Sequence, residues 1–441
     1  MNKNIKHVVH CIGIGGIGLS GLARLLHEAG HSVSGSDVAD SEMVQRLMKE
    51  GIKVRIGMHA STHLPANVQM VVMTAATQSD NPELLEAKRR SIPVMLYAEA
   101  LAAFMDEKQL IAVSGTHGKS TTTGLIGWGL EKLHADPTIL IGSQVRAWDG
   151  NIRIGASNLA LVEADEYNRS FLAYRPFGAV ITNVDYDHVD TYSGLEDVLA
   201  AFIQFIGQVH EDGFVVLPEG EHYTDALKAA AGSRTVITFG DTQGDLNLLN
   251  TEIKLKIPGA HNQRNGLAAL AALAALGHDM DAARKVLRTF PGLWRRFEEI
   301  GAFKDARIFS DYAHHPHEVH AVLQTAREVF PKKKLVVVFQ PHHALRTKHF
   351  LNDFARELKV ADELYLTDIY HVAGREQDAI DIDIHTLADT VRSIGGNVQA
   401  DVSLEELAPF LTKAIDRSTV VFFLGAGDID AFARKFIHIP S

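Results

Sequence analysis

The chain has 441 residues, the length of about three domains at roughly 150 residues each. Its composition, 46% hydrophobic and 22% charged, is typical of a globular protein and disfavours a disordered or fibrous chain. Lys and Arg number 43 against 54 Asp and Glu, a net charge of −11, so we expect no nucleic-acid partner. A small anionic substrate remains compatible, because a few local cations suffice to bind it.

Neither a targeting signal nor a membrane span is expected. The first twenty residues lack the features of a signal peptide, and the longest apolar stretch, residues 267–276, is about half of what a bilayer requires. The single cysteine, Cys11, cannot form an internal disulfide, which fits a reducing compartment. We therefore expect a cytoplasmic protein with no membrane partner, either a monomer or a homodimer.

Short β-branched runs alternate with longer helical patterns along the chain, which predicts an α/β fold with mainly parallel sheets. The polar segment at 106–109 and the Pro291-Gly292 pair indicate two boundaries, so we predict domains at residues 1–107, 108–293 and 294–441. The predicted strands are 7–9, 31–35, 70–73, 92–94, 110–113, 159–162, 179–183, 307–309, 335–339, 363–366 and 420–424, and the clearest helices are 19–29, 266–276 and 280–289.

The first predicted strand leads into the glycine cluster Gly13-Ile14-Gly15-Gly16-Ile17-Gly18, which matches G-x-G-x-x-G. With Asp37 at the end of the next strand, the spacing predicts a turn that binds a pyrophosphate, with Asp37 on a ribose. NAD is one candidate, but any nucleotide diphosphate presents the same groups. A purely structural turn is the alternative.

A second glycine loop, Gly115-Thr116-His117-Gly118-Lys119-Ser120-Thr121, also lies between a predicted strand and a helix. Such a loop directs backbone N–H groups at phosphate oxygens; Lys119 would reach the outer phosphates and the Ser120 hydroxyl would bind Mg²⁺. The full P-loop pattern is absent, because Val113 stands where its first glycine belongs. A strand–helix turn with an exposed lysine is the alternative.

Acidic groups follow two later strands. Glu163-Ala164-Asp165-Glu166 follows one and Asp185-Tyr186-Asp187-His188 the next. Ligands of open α/β sheets bind at the carboxyl ends of the strands, and Mg²⁺ prefers oxygen ligands. Beside a phosphate loop these groups predict a magnesium site; alone they would suggest solvated acidic turns.

The last third contains two histidine-rich loops, residues 311–316 and 340–347. Adjacent His314 and His315 do not have the spacing of a zinc site, so we favour contacts from imidazoles and guanidinium groups to a carboxylate or phosphate, with a surface loop as the alternative. Asn262 and Asn265 precede the helix predicted at 266–276; capping explains one of them, and a ligand contact would explain the second.

These motifs occur together, with Arg295-Arg296-Phe297-Glu298 between Asn265 and Asp311, in an order that resembles the Mur ligase family over essentially the whole chain. The resemblance implies three domains: a Rossmann-like N-terminal domain for the UDP part of UDP-N-acetylmuramate, a P-loop central domain for ATP and Mg²⁺, and a Rossmann-like C-terminal domain for the amino acid. It implies ATP-dependent addition of L-alanine to the lactyl carboxylate of the sugar through an acyl phosphate. The domains would close by hinges near residues 107 and 293.

The resemblance also implies residue roles. For the UDP-sugar it implies Gly15, Gly16, Gly18, Ser36, Asp37, His59 and Thr74, with His117 toward the muramoyl carboxylate. For ATP it implies Gly115, Thr116, Gly118, Lys119, Ser120, Thr121, Asn262, Asn265, Arg296 and Asp311. For Mg²⁺ it implies Ser120 and Glu163 at one ion and His188 at a second, and for the amino acid or intermediate His314, His315 and Arg346. Lys119, Glu163, His188, His314 and His315 form the expected catalytic set, and His314 or His315 is suited to accept the amine proton.

Three positions depart from the family pattern. Ser120 replaces the more usual threonine and keeps its hydroxyl, His343 stands where arginine is usual, and Tyr97 stands where a basic residue is frequent. Three other functions stay open: a ligase that attaches recovered tripeptide to the same sugar, an NAD-dependent oxidoreductase that uses the first glycine cluster, and a nucleotide-binding regulator without catalysis.

Overall fold

The computed structural model describes residues 6–148, 150–370 and 382–439, which include every candidate site residue. These residues form three β-sheets flanked by helices, as the α/β prediction requires. They group into two compact units. The first contains the residues up to Tyr186, Ser193–Ile253 and Asn265–Thr289; the second contains Asp187–Tyr192, Lys254–Arg264 and the residues from Phe290 onward.

The first sheet, in the first unit, is entirely parallel. Its strands are β1 (Val8–Ile12), β2 (Ser32–Asp37), β3 (Lys53–Ile56), β4 (Met70–Met73) and β5 (Val94–Leu96), and its helices are α1 (Ile17–Glu28), α2 (Glu42–Lys49), α3 (Pro82–Arg89) and α4 (Tyr97–Met105). The order is β3-β2-β1-β4-β5. Ile12 pairs with both Ser36 and Met73, so three strand ends meet at one edge of the sheet.

The second sheet, also in the first unit, has the order β13-β12-β11-β10-β6-β9-β7-β8 and is parallel except for the β7–β8 pair. Its strands are β6 (Gln109–Ser114), β7 (Thr138–Val145), β8 (Gly150–Arg153), β9 (Leu159–Glu163), β10 (Gly178–Ile181), β11 (Phe214–Pro218), β12 (Thr235–Gly240) and β13 (Leu246–Asn247), followed or connected by α5 (Lys119–Lys132), α6 (Leu195–Gly207), α7 (Thr224–Ala231), α8 (Ala260–Ala275) and α9 (Met280–Leu287). Val113 pairs with Glu163 and Ser114 with Ile181, which places both acidic segments beside the second glycine loop's strand.

The third sheet belongs to the second unit and has the order β14-β15-β19-β16-β17-β18, with only β14 antiparallel to its neighbour. Its strands are β14 (Glu298–Phe303), β15 (Ala306–Asp311), β16 (Lys334–Phe339), β17 (Glu363–Leu366), β18 (Val398–Asp401) and β19 (Thr419–Leu424), with helices α10 (Pro316–Val329), α11 (Ala344–His349), α12 (Leu351–Leu358), α13 (Ile384–Ser393), α14 (Leu407–Ala414) and α15 (Ile429–Phe436). Successive β16 residues enter the cores on opposite faces, which explains the unbroken apolar run of that strand.

Helix α8 differs from the prediction, because it begins at Ala260 and not at residue 266. Gly259, with a φ of +101°, ends the preceding loop, and no proline lies between Pro258 and Pro291. Asn262 and Asn265 therefore lie inside the first turns of the helix, so the suggestion that one of them caps it is wrong.

Across the described residues, every helix is too short or too polar to span a bilayer.

Candidate functional site

The second glycine loop joins the end of β6 to the start of α5. Gly115 and Gly118 have φ values of +136° and +79°, and a Cβ on Gly118 would lie 2.5 Å from Asn265 Oδ1. Glycine is therefore required at Gly118 for both backbone conformation and space. Among the residues that the structure describes, none caps α5 at Gly118 with its side chain. The first N–H groups of the helix, including that of the buried Thr121, are thus left for an anion.

Lys119 is the first residue of α5 and folds back over this loop. Its Nζ donates to the carbonyl of Gly115 at 2.8 Å and to Glu166 Oε2 at 2.7 Å. Burial disfavours the charged amine, yet the carboxylates of Glu166 and Asp165 hold the pKa of Lys119 above its usual range. The structure thus places a cation at the loop, with Glu166 as a partner that the sequence did not indicate.

Ser120 and Glu163 meet at the same edge. The Ser120 hydroxyl donates to Glu163 Oε1 at 2.9 Å, and the N–H of Gly142 donates to Oε2 at 2.6 Å. Burial raises the pKa of the Glu163 carboxyl, which Lys119 and the Gly142 N–H oppose. A hydroxyl and a carboxylate in contact form a donor set that fits Mg²⁺.

His117 is held on the other side of the loop by segments that follow β10. Its N–H donates to Asn183 Oδ1 at 2.9 Å, and its Nε2 lies 3.3 Å from Asp185 Oδ2. Thr116 is fixed too, because its hydroxyl donates to the Asp185 carbonyl at 3.1 Å. These bonds orient the loop and the His117 ring.

The first glycine turn joins β1 to α1, and the described residues supply no side-chain cap at Gly16. The N–H of Gly15 donates to Asp37 Oδ2 at 2.8 Å, so in this structure the carboxylate predicted for a ribose binds the turn itself. Gly13 and Gly16 pack against Thr74, at the end of β4, and a Cβ on Gly18 would lie 2.8 Å from Tyr97 Cζ.

Tyr97 lies beside the first glycine turn. It packs on Gly18, and burial raises its pKa well above the usual value, assisted by the charges of Glu163 and Asp165 and by Tyr174. Tyr97 is therefore an uncharged phenol that contacts the first glycine turn and lies near the acidic end of β9.

Glu83, which the sequence analysis did not single out, is fully buried near the first turn. Burial opposes its charge, but hydrogen bonds from His10, His59 and Ser36 lower its pKa to about 2. Ser36 is itself buried and donates to Glu83 Oε2 at 2.8 Å, so its side chain supports the edge of the sheet. The signal in the sequence was local: Asn81 caps α3, Pro82 opens it, and a carboxylate follows in the first turn.

The second unit brings together Arg346 and Asp187, residues 159 apart in sequence, with Nη2 2.8 Å from Oδ1. Although burial raises the pKa of Asp187, Arg346 and the neighbouring imidazoles hold it well below its usual range. The arginine predicted for the amino acid thus has a carboxylate partner that sequence reasoning missed. His188 follows directly, with a φ of +53°.

His314 and His315 lie at the start of α10. His314 Nδ1 is 2.9 Å from the Tyr312 carbonyl, and burial lowers its pKa to about 4, so the ring is neutral at neutral pH. His315 is the N-cap of α10, and its Nδ1 accepts the His317 N–H at 3.3 Å.

Asp311 ends β15, where its carboxylate accepts the N–H groups of Phe297 and Ala313 at 2.6 and 2.8 Å. Burial raises its pKa to about 6, which Arg296 and these N–H groups oppose. Arg296 lies over the Tyr312 ring, 5.4 Å from its centre. In the same unit, the Asn262 amide donates to the Pro258 carbonyl at 2.6 Å, and His343 precedes α11 with a φ of +74°.

The three sheets, the uncapped helix α5 and its lysine, serine and carboxylates define an α/β protein of the phosphate-binding class. Known families agree with this description. The family models for "Mur ligase family, catalytic domain", "Mur ligase middle domain" and "Mur ligase, glutamate ligase domain" match residues 8–109, 113–273 and 295–427. The chain belongs to the Mur ligase family.

Relatives match over nearly the full length. The UDP-N-acetylmuramate–L-alanine ligase of Caldanaerobacter subterraneus subsp. tengcongensis is 37% identical, with 98% of this chain and 97% of the relative covered. That of Aquifex aeolicus is 38% identical, with 97% and 96% covered. Among solved structures, the UDP-N-acetylmuramate-alanine ligase from Thermotoga maritima has a TM-score of 0.81 at 30% identity and covers 97% of this chain and 98% of its own.

These findings confirm the predicted three-domain α/β architecture and an ATP-dependent ligase. They also favour the ligase over the oxidoreductase and the silent regulator. The domain boundaries and the roles of individual residues stay predictions.

Proposed function

We propose that this chain uses ATP to join L-alanine to the lactyl carboxylate of UDP-N-acetylmuramate, a step in peptidoglycan precursor synthesis. The observation that carries the proposal is the cluster of Lys119, Ser120 and Glu163 at the uncapped start of α5. The names of the relatives, which match nearly the whole chain, support the choice of substrates.

The three substrates divide among domains at residues 1–107, 108–293 and 294–441. Gly15, Gly16, Gly18, Asp37, His59 and Thr74 would hold the UDP part, with Ser36 behind them. Residues 115–121 with Asn265 would hold the triphosphate, and Asn262, Arg296 and Asp311 the rest of the nucleotide. We place the reaction in the cytoplasm, where ATP and UDP-sugars occur.

Phosphoryl transfer comes first. The lactyl carboxylate attacks the γ-phosphorus of ATP, and the bond between the γ-phosphorus and the bridging oxygen breaks. The products are ADP, which departs, and an acyl phosphate on the sugar. Lys119 offsets the repulsion between the two anions, and His117 orients the attacking carboxylate. Mg²⁺ held by Ser120 and Glu163, and a second ion at His188, would supply further positive charge.

Amide formation follows. The amine of L-alanine attacks the acyl carbon and inorganic phosphate leaves with the electrons of the broken C–O bond. The amine must also lose a proton. His314 is suited to take it: Nδ1 faces the Tyr312 carbonyl and so carries a hydrogen, which leaves the Nε2 lone pair in the neutral ring. Arg346 would bind the alanine carboxylate after its ion pair with Asp187 breaks.

A product-mass assay tests the proposal. Purified protein receives ATP, Mg²⁺ and UDP-N-acetylmuramate with one amine at a time: L-alanine, glycine, L-serine or the recovered tripeptide. We expect the mass of the alanyl product and one ADP per amide, with alanine the best substrate. Exclusive use of the tripeptide would establish the alternative ligase, and no product with any amine would reject both.

A further inference from the structure

Glu83 occupies an unusual position for a carboxylate. It lies in the first turn of α3, its side chain has no exposed surface, and the Asn81 side chain caps the same turn. A buried carboxylate is costly unless hydrogen bonds compensate its lost hydration.

Four donors surround its two oxygens. His10 Nε2 and the Ser36 hydroxyl lie 2.7 and 2.8 Å from Oε2. His59 Nδ1 and His63 Nδ1 lie 2.7 and 3.3 Å from Oε1. An ionised carboxylate offers about four lone-pair sites and no donor, so all its acceptor capacity is used. Each imidazole must therefore place a hydrogen on the nitrogen that faces Glu83.

This requirement determines the protonation of Nε2 in the two partly exposed rings, His59 and His63. His59 and His63 keep 21% and 19% of their side-chain surface exposed, whereas His10 is buried. With the hydrogen on Nδ1, the Nε2 atom of a neutral ring carries a lone pair and points away from Glu83. His59 Nε2 has no hydrogen-bond partner among the described residues.

The cluster lies where a nucleotide is expected. Ser36 is the next-to-last residue of β2, His59 follows β3, and both are at the carboxyl edge of the first sheet, next to the glycine turn. Val38 and Met58, one residue from Asp37 and His59, are 59% and 90% exposed and offer apolar surface to a planar base.

We propose that Glu83 is a positioning residue that selects uridine, by holding His59 in the tautomer whose Nε2 accepts a hydrogen bond from N3–H of the base. Uracil has a hydrogen on N3, whereas cytosine has a lone pair there and would face the Nε2 lone pair. The inference rests on the proposed function, since it assumes that the UDP part binds at this edge.

The test compares UDP with CDP by calorimetric titration at pH 8, where an ordinary imidazole is neutral. The variants are Glu83→Gln and the control Glu86→Gln, which changes the partly exposed carboxylate on the same helix that pairs with Arg89. In Glu83→Gln the amide NH₂ is expected to face the two partly exposed rings, His59 and His63. The amide oxygen then stays with the buried Ser36 and His10, which donate hydrogen bonds to it. Nδ1 of His59 then accepts a hydrogen bond and the ring hydrogen moves to Nε2. From there it can donate to the lone pair on N3 of cytosine.

We expect the wild type and Glu86→Gln to prefer UDP by about tenfold or more, the effect of one mispaired buried group. In Glu83→Gln the preference should fall to within about threefold, with KM for the UDP-sugar raised and kcat nearly unchanged. His59→Phe, which keeps a ring without nitrogens at a partly exposed site, should lose the preference too and serves if Glu83→Gln does not fold.

Two outcomes overturn the inference: an equal affinity of the wild type for UDP and CDP, or an unchanged preference in Glu83→Gln with both affinities lowered by one factor, which indicates a structural role alone. Failure of the proposed function is distinct, because the wild type would then form no alanyl product and bind no UDP.

Discussion

The two glycine turns of the first unit have the same local structure and different chemistry. Each follows a parallel strand and precedes a helix without a side-chain cap, at Gly16 and at Gly118. The first turn, Gly13 to Gly18, carries no charged residue, and Asp37 accepts the Gly15 N–H. The second carries Lys119 and Ser120, which Glu166 and Glu163 hold by hydrogen bonds.

The difference fits the division that we propose, with nucleotide binding at the first turn and phosphoryl transfer at the second. Backbone N–H groups and the helix end suffice to hold a diphosphate that stays intact. A phosphoryl group in transfer develops charge that must be compensated at defined points, which requires an amine and metal ligands. In each turn a carboxylate occupies one donor, because Asp37 accepts the Gly15 N–H and Glu166 accepts the Lys119 amine. A phosphate that binds at either turn must compete with that carboxylate.

Removal of the cation of the second turn should have the largest effect. Lys119→Ala is expected to lower kcat by about a thousandfold or more, since the amine compensates charge in phosphoryl transfer. UDP affinity, which we propose depends on the first turn, should stay within twofold. ADP release and calorimetry with UDP measure the two effects.

Lys132→Ala is the control, at the other end of α5 with an exposed ion pair to Glu131. Circular dichroism checks the fold, because Lys119→Ala leaves the buried Glu166 without this cation. Activity within tenfold of the wild type would contradict the role of Lys119.

A smaller effect, on KM and not on kcat, is expected at the first turn. A Cβ on Gly15 would lie 2.8 Å from Val44 Cγ2 and 2.9 Å from Asp37 Oδ2, so Gly15→Ala displaces groups beside the turn. We expect KM for the UDP-sugar to rise about tenfold, equivalent to ~1.4 kcal/mol of binding, with kcat changed less than threefold. Steady-state kinetics at saturating ATP and alanine measure both.

Gly207→Ala is the matched control, because a Cβ there has no neighbour within 4 Å. A rise in KM for ATP, with KM for the UDP-sugar unchanged, would show that the first turn binds ATP and that its assignment to the UDP-sugar is wrong.

The sequence predicted the two turns because their signals are local. Strand, glycines and helix are contiguous, and the order of motifs predicted the family. The structure places Glu163 at the end of β9, as the acidic segment suggested. The predicted start of α8 at residue 266 was wrong, because the residues at 261–265 are polar and do not indicate the helix that packing stabilises there.

The partners of the candidate residues could not be predicted in this way. Glu166 meets Lys119 across 47 residues, and Asp187 meets Arg346 across 159. Such pairs follow from strand register and from the association of distant segments, which have no period in the sequence. Glu83 is intermediate, since its helix start was readable but the three histidines around it come from separate elements.

The smallest effect is expected for Ser120→Thr. Ser120 donates its hydroxyl to Glu163 from a buried position, and threonine would present the same hydroxyl with one more methyl group. Ser120→Thr should keep kcat and the Mg²⁺ concentration for half-maximal activity within about threefold, because the ligand that we propose is the hydroxyl oxygen, which threonine retains. A titration of activity with Mg²⁺ measures this.

Ser120→Ala provides the contrast, since it removes the oxygen and reduces the volume. We expect it to raise the Mg²⁺ requirement about tenfold or more, the cost of one lost ligand, with UDP affinity unchanged. Equal Mg²⁺ curves for the alanine and threonine variants would show that the hydroxyl is no ligand. The second turn would then differ from the first by its lysine alone, and the metal would have to be bound by Glu163 with other groups.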